Sequence, residues 1–94
     1  MMNVLQEDNG KKGTFYVEVD GKRDALMTYT WAGSDKIIID HTEVSGSLRG
    51  KGIGYKLVEA AVDFLRKKNL KVIPLCPFAK SVFVKTREYL DVLA

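Results

Sequence analysis

Cysteine is almost missing from this chain. Cys76 is the only one in 94 residues, so an internal disulfide framework is excluded and a reducing compartment is expected. Histidine is equally scarce. One His and one Cys cannot build a zinc site by themselves, so a metal-free protein is expected. Proline occurs only twice, at Pro74 and Pro77, and no linker or low-complexity tract interrupts the chain. No apolar run is long enough to cross a bilayer. The polar segment from Met1 to Gly13 lacks a secretory apolar core and is expected to be flexible. These absences lead to the expectation of a cytoplasmic protein with no membrane partner. The length allows one small domain, residues 1–94, with a modest core and little room for a second site. A monomer is the default expectation.

Acidic residues are the minority among the charges, leaving a net charge of +3. That favours anionic partners without singling one out. The densest basic run, Arg66-Lys67-Lys68-Asn69-Leu70-Lys71, reads as a solvated helix end complementing the dipole. An RNA surface needs aromatic residues interleaved with basic ones. That pattern and the RNP signature are both missing, so no nucleic-acid partner is expected.

What is present divides into two halves. Phe15, Val17 and Val19 alternate with Tyr16, Glu18 and Asp20, the pattern of a half-buried strand. Asp20-Gly21 is hairpin-turn chemistry. A second strand follows from about Lys22 to Trp31, with Ala25, Met27, Tyr29 and Trp31 on one face. After the turn Ala32-Gly33-Ser34-Asp35, a third strand runs from Lys36 to Val44. Alternation there puts His41 on the face of Ile37, Ile39 and Glu43, with Asp40 and Thr42 opposite.

The second half is helical in period. Leu57, Val58, Ala61, Val62 and Leu65 define a helix from Tyr55 to Lys68, with Asn69 as a left-handed cap. Leu70 to Leu75 is a short strand in which pairing falters at Pro74. Ala79 to about Thr86 is a second helix, and Glu88 to Leu93 a final turn. The fold class is therefore α+β (mixed α/β): an antiparallel meander leading into one parallel βαβ unit, with helices packed on the sheet. Ligands of open sheets sit at strand carboxyl ends. Here those ends are His41–Val44 and Leu75–Phe78.

Beside the first of them lies Arg49-Gly50-Lys51-Gly52-Ile53-Gly54. Alternate glycines let backbone N–H groups converge, the following helix start adds unpaired donors, and Arg49 and Lys51 add charge. That suits a phosphate, although such a loop can also be simply solvated. The P-loop pattern is not met, and neither is G-x-G-x-x-G. Arg49-x-x-Gly52-x-Gly54 does resemble the pyrophosphate loop of the GNAT superfamily of acetyl-CoA-dependent acyltransferases. With Ile39-Asp40-His41-Thr42-Glu43-Val44 before it and Pro74-Leu75-Cys76-Pro77-Phe78 after it, the chain resembles the minimal, single-domain GNAT-like family (the YjdJ type) from Phe15 to Leu93. One departure stands out. Thr86-Arg87 occupies the place where many members carry His-Pro, so no role of that His carries over.

The resemblance implies a truncated acetyltransferase fold with acetyl-CoA (coenzyme A) as cofactor and an unidentified amine as acceptor. The alternative is a non-catalytic coenzyme A or acyl-CoA binding or sensing module, since the short chain leaves little material for an amine pocket. The backbone of Gly50, Lys51, Gly52, Ile53 and Gly54 would hold the pyrophosphate, and Glu43 and Val44 would flank the pantetheine arm. Pro77 and Phe78 join the cofactor-binding set. Lys80, like Lys56, can reach the ribose phosphate, though such lysines are commonly just exposed.

Three side chains are candidates for catalysis. Cys76 precedes a helix, a position that favours the reactive thiolate. It can accept the acetyl group, return a proton to the leaving thiolate, or pack as a small inert residue. His41 is the natural base for an ammonium nucleophile, and Glu43 is the alternative base, acting through water. The plain readings are a hydrogen-bonded strand-end histidine and a surface carboxylate.

Overall fold

A computed structural model describes residues 3–94. The part of the expected flexible leader that falls on Met1 and Met2 lies outside the described residues. Five strands form one sheet in sequence order: β1 (Leu5–Asp8), β2 (Lys12–Val19), β3 (Lys22–Trp31), β4 (Lys36–Val44) and β5 (Lys71–Pro74). The first four are antiparallel and β4 pairs with β5 in parallel, across α1 (Ile53–Lys68). Helix α2 (Pro77–Lys85) and a 3-10 segment (Arg87–Val92) complete the chain.

Alternation in β2 and β3 sends Phe15, Val17, Ala25, Met27 and Tyr29 to one buried face. The apolar stripe of α1, Leu57 through Leu65, packs in the same cluster, as do Ala79, Val82 and Phe83 of α2. The opposite face, with Tyr16, Leu26, Thr28 and Ile38, stays half-exposed. Helix α1 ends at Asn69, whose left-handed backbone (φ 57°, ψ 49°) lets Leu70 N–H reach the Leu65 carbonyl at 2.8 Å. The basic run does more than face solvent. Arg66 pairs with Asp91 at 2.9 Å and donates to the Glu88 carbonyl, fastening the last segment to the helix end.

Within the segment up to Gly13 lie β1 and the start of β2, which pair from Leu5↔Tyr16 to Asp8↔Gly13. This edge strand is exposed and polar, so it carries no apolar alternation to read. Its anchor is side-chain chemistry. Asp8 Oδ2 accepts hydrogen bonds from the Tyr29 hydroxyl and from Trp31 Nε1 at 2.9 Å, and Gln6 Nε2 donates to the Tyr29 oxygen at 2.9 Å. Burial first, and then the bond to Asp8, hold the Tyr29 phenol above its ordinary range. Burial pushes Asp8 up, but donors from Tyr29, Gly10 and Trp31 outweigh it and keep the carboxyl below its usual range. Gly13 completes the anchor: a Cβ there would stand 2.1 Å from the Tyr29 ring.

Candidate functional site

The site is built where β4 outlives β5. Ile37–Ile39 pairs with β3 on one side and Lys36–Ile39 with β5 on the other, and the parallel ladder ends at Ile39↔Pro74. Pro74 has no N–H to continue it. Leu75 N–H and Cys76 N–H both turn to the Ile39 carbonyl, at 3.0 and 3.2 Å, and the chain departs into α2. From Asp40 to Val44 the ladder continues only with β3, so the β5 side of this stretch offers backbone groups to a ligand.

A bulge marks the transition. Tyr29 pairs with Ile39 and Thr28 with His41, leaving Asp40 as the extra residue. Its carboxylate accepts from Thr30 Oγ1 at 2.7 Å. The extra residue corrects the expected alternation. His41 and Glu43 share a face, as expected, but it is the half-exposed face and not that of Ile37 and Ile39. Thr42 and Val44, opposite Met27 and Ala25, take the helix side.

After Val44 a 3-10 turn (Gly46–Leu48) leads into the glycine loop. Gly50 (φ +79°) and Gly52 (φ +72°) adopt left-handed backbone that other residues resist, and Gly52 is the N-cap of α1. No side chain caps this helix start and no acidic residue stands in its first turn, so its N–H groups and positive dipole end face outward. The helix begins at Ile53, two positions before the expected Tyr55. Gly54 is therefore not a loop residue: it lies within the first turn, where a Cβ would come within 2.6 Å of the Phe78 ring. Tyr55, exposed, meets the same ring edge-on with centroids 5.7 Å apart.

Together these elements enclose a cavity of about 480 Å³, with walls from Thr42, Val44, Arg49, the loop glycines, Tyr55 and Phe78. Of the expected cofactor-binding residues, Val44, Arg49, Gly50, Gly52, Ile53, Gly54 and Phe78 line it. Lys51, Pro77 and Lys80 stand outside that lining. Thr42 and Tyr55 line it too, without an expected role, although both sit at motif positions: one in the β4 end, one directly after the glycine loop.

The candidate reactive groups flank the same strand end. Cys76 is buried as the N-cap residue of α2, and its thiol donates to Thr42 Oγ1 at 3.2 Å. Thr42 thus touches the cavity on one side and the thiol on the other. His41 Nε2 lies 3.1 Å from Glu43 Oε1, both side chains exposed. The structure thus pairs His41 with Glu43 and Cys76 with Thr42, on opposite faces of one strand. Among the described residues no group of His, Cys, Asp and Glu is placed to hold a metal ion, and no helix is long and apolar enough to cross a membrane.

An antiparallel meander, one parallel crossover and a glycine loop opening the crossover helix define an acetyltransferase-type fold. The family model of GCN5-related N-acetyl-transferases matches residues 14–92. The chain belongs to that family. It is 35% identical over 75 residues to Protein NATD1 of Xenopus tropicalis, covering 79% of this chain and 69% of that protein. The solution structure of a GCN5-like protein from Staphylococcus aureus superposes with a TM-score of 0.75 at 38% identity, covering 100% of this chain and 91% of that one. A GNAT family acetyltransferase from Elizabethkingia anophelis, solved with acetyl-CoA bound, shares the fold at a TM-score of 0.64 and 9% identity, covering 78% of this chain and 63% of that one.

Proposed function

We propose that this protein is an N-acetyltransferase that moves the acetyl group of acetyl-CoA onto an amine. The observation that carries the reading is the 480 Å³ cavity, bounded by the open edge of β4, the glycine loop and Phe78, in a member of this family. The walls fit the cofactor. An uncapped helix start with Arg49, Lys51 and Lys56 nearby suits a pyrophosphate. The unpaired strand edge suits the amides of a pantetheine arm, which need backbone partners.

Acetyl-CoA supplies a thioester: a C–N bond forms between the amine nitrogen and the acetyl carbon, the C–S bond breaks, and coenzyme A leaves as its thiol. The chain's part is positioning and proton transfer. Backbone N–H groups on the β5 side of Asp40–Val44 are donors for the thioester oxygen as charge develops on it. His41, held by Glu43, takes the proton an ammonium must lose before it can attack, and its exposure passes that proton to water. Cys76 gives its proton to the Thr42 hydroxyl, which passes its own to the departing sulfur in the cavity. The second proton shed by nitrogen replaces it.

Calorimetry with acetyl-CoA on the wild type and on Cys76→Ala tests this, followed by single-turnover mass spectrometry with an amine panel. The expected result is equal affinity, transfer slowed at least about tenfold in the variant, and no acetyl group retained on the wild-type chain. Failure of acetyl-CoA to bind a folded wild-type protein would end the proposal. An acetyl group found on Cys76 and lost again to amines would replace proton donation by a covalent route.

A further inference from the structure

Tyr55 is a large aromatic residue left 62% exposed on the wall of the cavity it lines. A single exposed ring is ordinary on a protein surface. This one is held in place. It meets Phe78 edge-on, at 70° with centroids 5.7 Å apart. Phe78 in turn stands over Gly54, where a Cβ would come within 2.6 Å of its ring. Glycine inside a helix is unfavourable, and here it lets the two rings form a corner between α1 and α2. An edge-on contact engages at most one face of each ring, so Tyr55 keeps a face for something else.

The cavity has an order along it. Thr42, which accepts from the Cys76 thiol, marks the end suited to a thioester. The uncapped start of α1 at Gly52 and Ile53 marks the end suited to an anion. Tyr55 follows directly, in the first turn of the same helix, as the exposed ring among the lining residues. Acetyl-CoA has a matching order: an acyl-pantetheine arm, a pyrophosphate, then a phosphoadenosine. With the thioester at Thr42 and the pyrophosphate at the helix start, the adenosine is the part that remains. Its adenine is the cofactor's one aromatic group.

We propose that Tyr55 is the stacking platform for the adenine ring of acetyl-CoA, and that it makes the site favour a nucleotide-bearing thioester over an acyl-pantetheine phosphate. The inference rests on the acetyltransferase reading above. Stacking asks for a ring face and for no hydrogen-bond partner, and a face is what Tyr55 offers. The tyrosine hydroxyl has no part in it.

Calorimetry and proton NMR on the whole chain test the assignment, with coenzyme A and pantetheine phosphate as probes. The adenine ring protons are expected to move upfield when coenzyme A binds the wild type, the ring-current signature of stacking. Tyr55→Ala is expected to abolish that movement, to weaken coenzyme A about tenfold or more, and to leave pantetheine phosphate within about twofold. Tyr55→Phe keeps the ring and should behave as the wild type. Equal losses for both probes in Tyr55→Ala would overturn the proposal. So would a Tyr55→Phe variant as weak as Tyr55→Ala, which would assign the hydroxyl instead. Adenine protons that stay unshifted in the bound wild type would overturn it too, and would leave the acetyltransferase reading standing. Failure of the folded wild type to bind coenzyme A at all is the separate result that removes that reading first.

Discussion

The two halves of β4 are one strand with two occupations. Lys36–Ile39 is ordinary sheet: two neighbours, strict alternation, Ile37 and Ile39 fully buried. Asp40–Val44 has one neighbouring strand, a bulge, and side chains that line the 480 Å³ cavity. Two small events separate them, a proline that ends the partner strand and one extra residue that resets the faces. The first half has strands on both sides; the second has an open edge, which the proposed function uses. Satisfying every backbone group of β4 would have removed the site.

The difference can be broken most strongly from the outside. Gly54→Leu puts a side chain where Phe78 lies, since a Cβ at this position would stand 2.6 Å from the ring. Helix propensity favours Leu over Gly by up to about 1 kcal/mol, and overpacking costs about 1–3 kcal/mol, so net stability should shift by about 2 kcal/mol or less. The cavity does not recover, because Phe78 must move into it. Acetyl-CoA affinity measured by calorimetry is expected to fall about a hundredfold.

Deleting Asp40 asks whether the bulge matters. The deletion keeps the β3 register, since Thr28 and Tyr29 would face His41 and Ile39 as consecutive residues, and it leaves every later side chain on its present face. The fold should survive the loss of one exposed hydrogen bond to Thr30. The bend of the strand should not, and with it goes part of the opening from β5. The expected outcome is a cooperative unfolding transition like the wild type's with about tenfold weaker acetyl-CoA binding. Unchanged binding would mean that Pro74 alone makes the opening.

The smallest effect sharpens the comparison from the far edge. The Asp8 carboxyl is held below its ordinary value by its donors, so its contribution to stability is present above the unfolded value, near 3.8, and is lost as pH falls through the lower folded value. Acidification below about pH 4 should release β1, seen as faster amide exchange of Leu5–Asp8 and a change in Trp31 fluorescence. Backbone shifts of Gly50–Tyr55, a stretch without a carboxylate, should respond little, because β1 lies at the edge of the sheet remote from β4 and β5.

Much of this is legible in the chain itself. Alternation of 2 and 3.6 residues locates β2 through β5 and both helices, and the motif residues point to the family on their own. What stays hidden follows from physics that spacing does not carry. A bulge leaves no mark in a single sequence, so plain alternation assigns His41 to the wrong face. Edge strand β1 has polar residues on both sides, and its anchors at Tyr29 and Trp31 are more than twenty positions away. Gly54 reads as a third loop glycine, because nothing local says that Phe78 needs the space above it.

The most direct test of the open half of β4 is an amide-shift titration of the whole chain with acetyl-CoA. Saturable shifts confined to Thr42–Val44, Arg49–Tyr55 and Cys76–Lys80, with Lys36–Ile39 and Leu5–Asp8 still, are the expected result. No saturable change, or changes centred away from the β4 end, would contradict it.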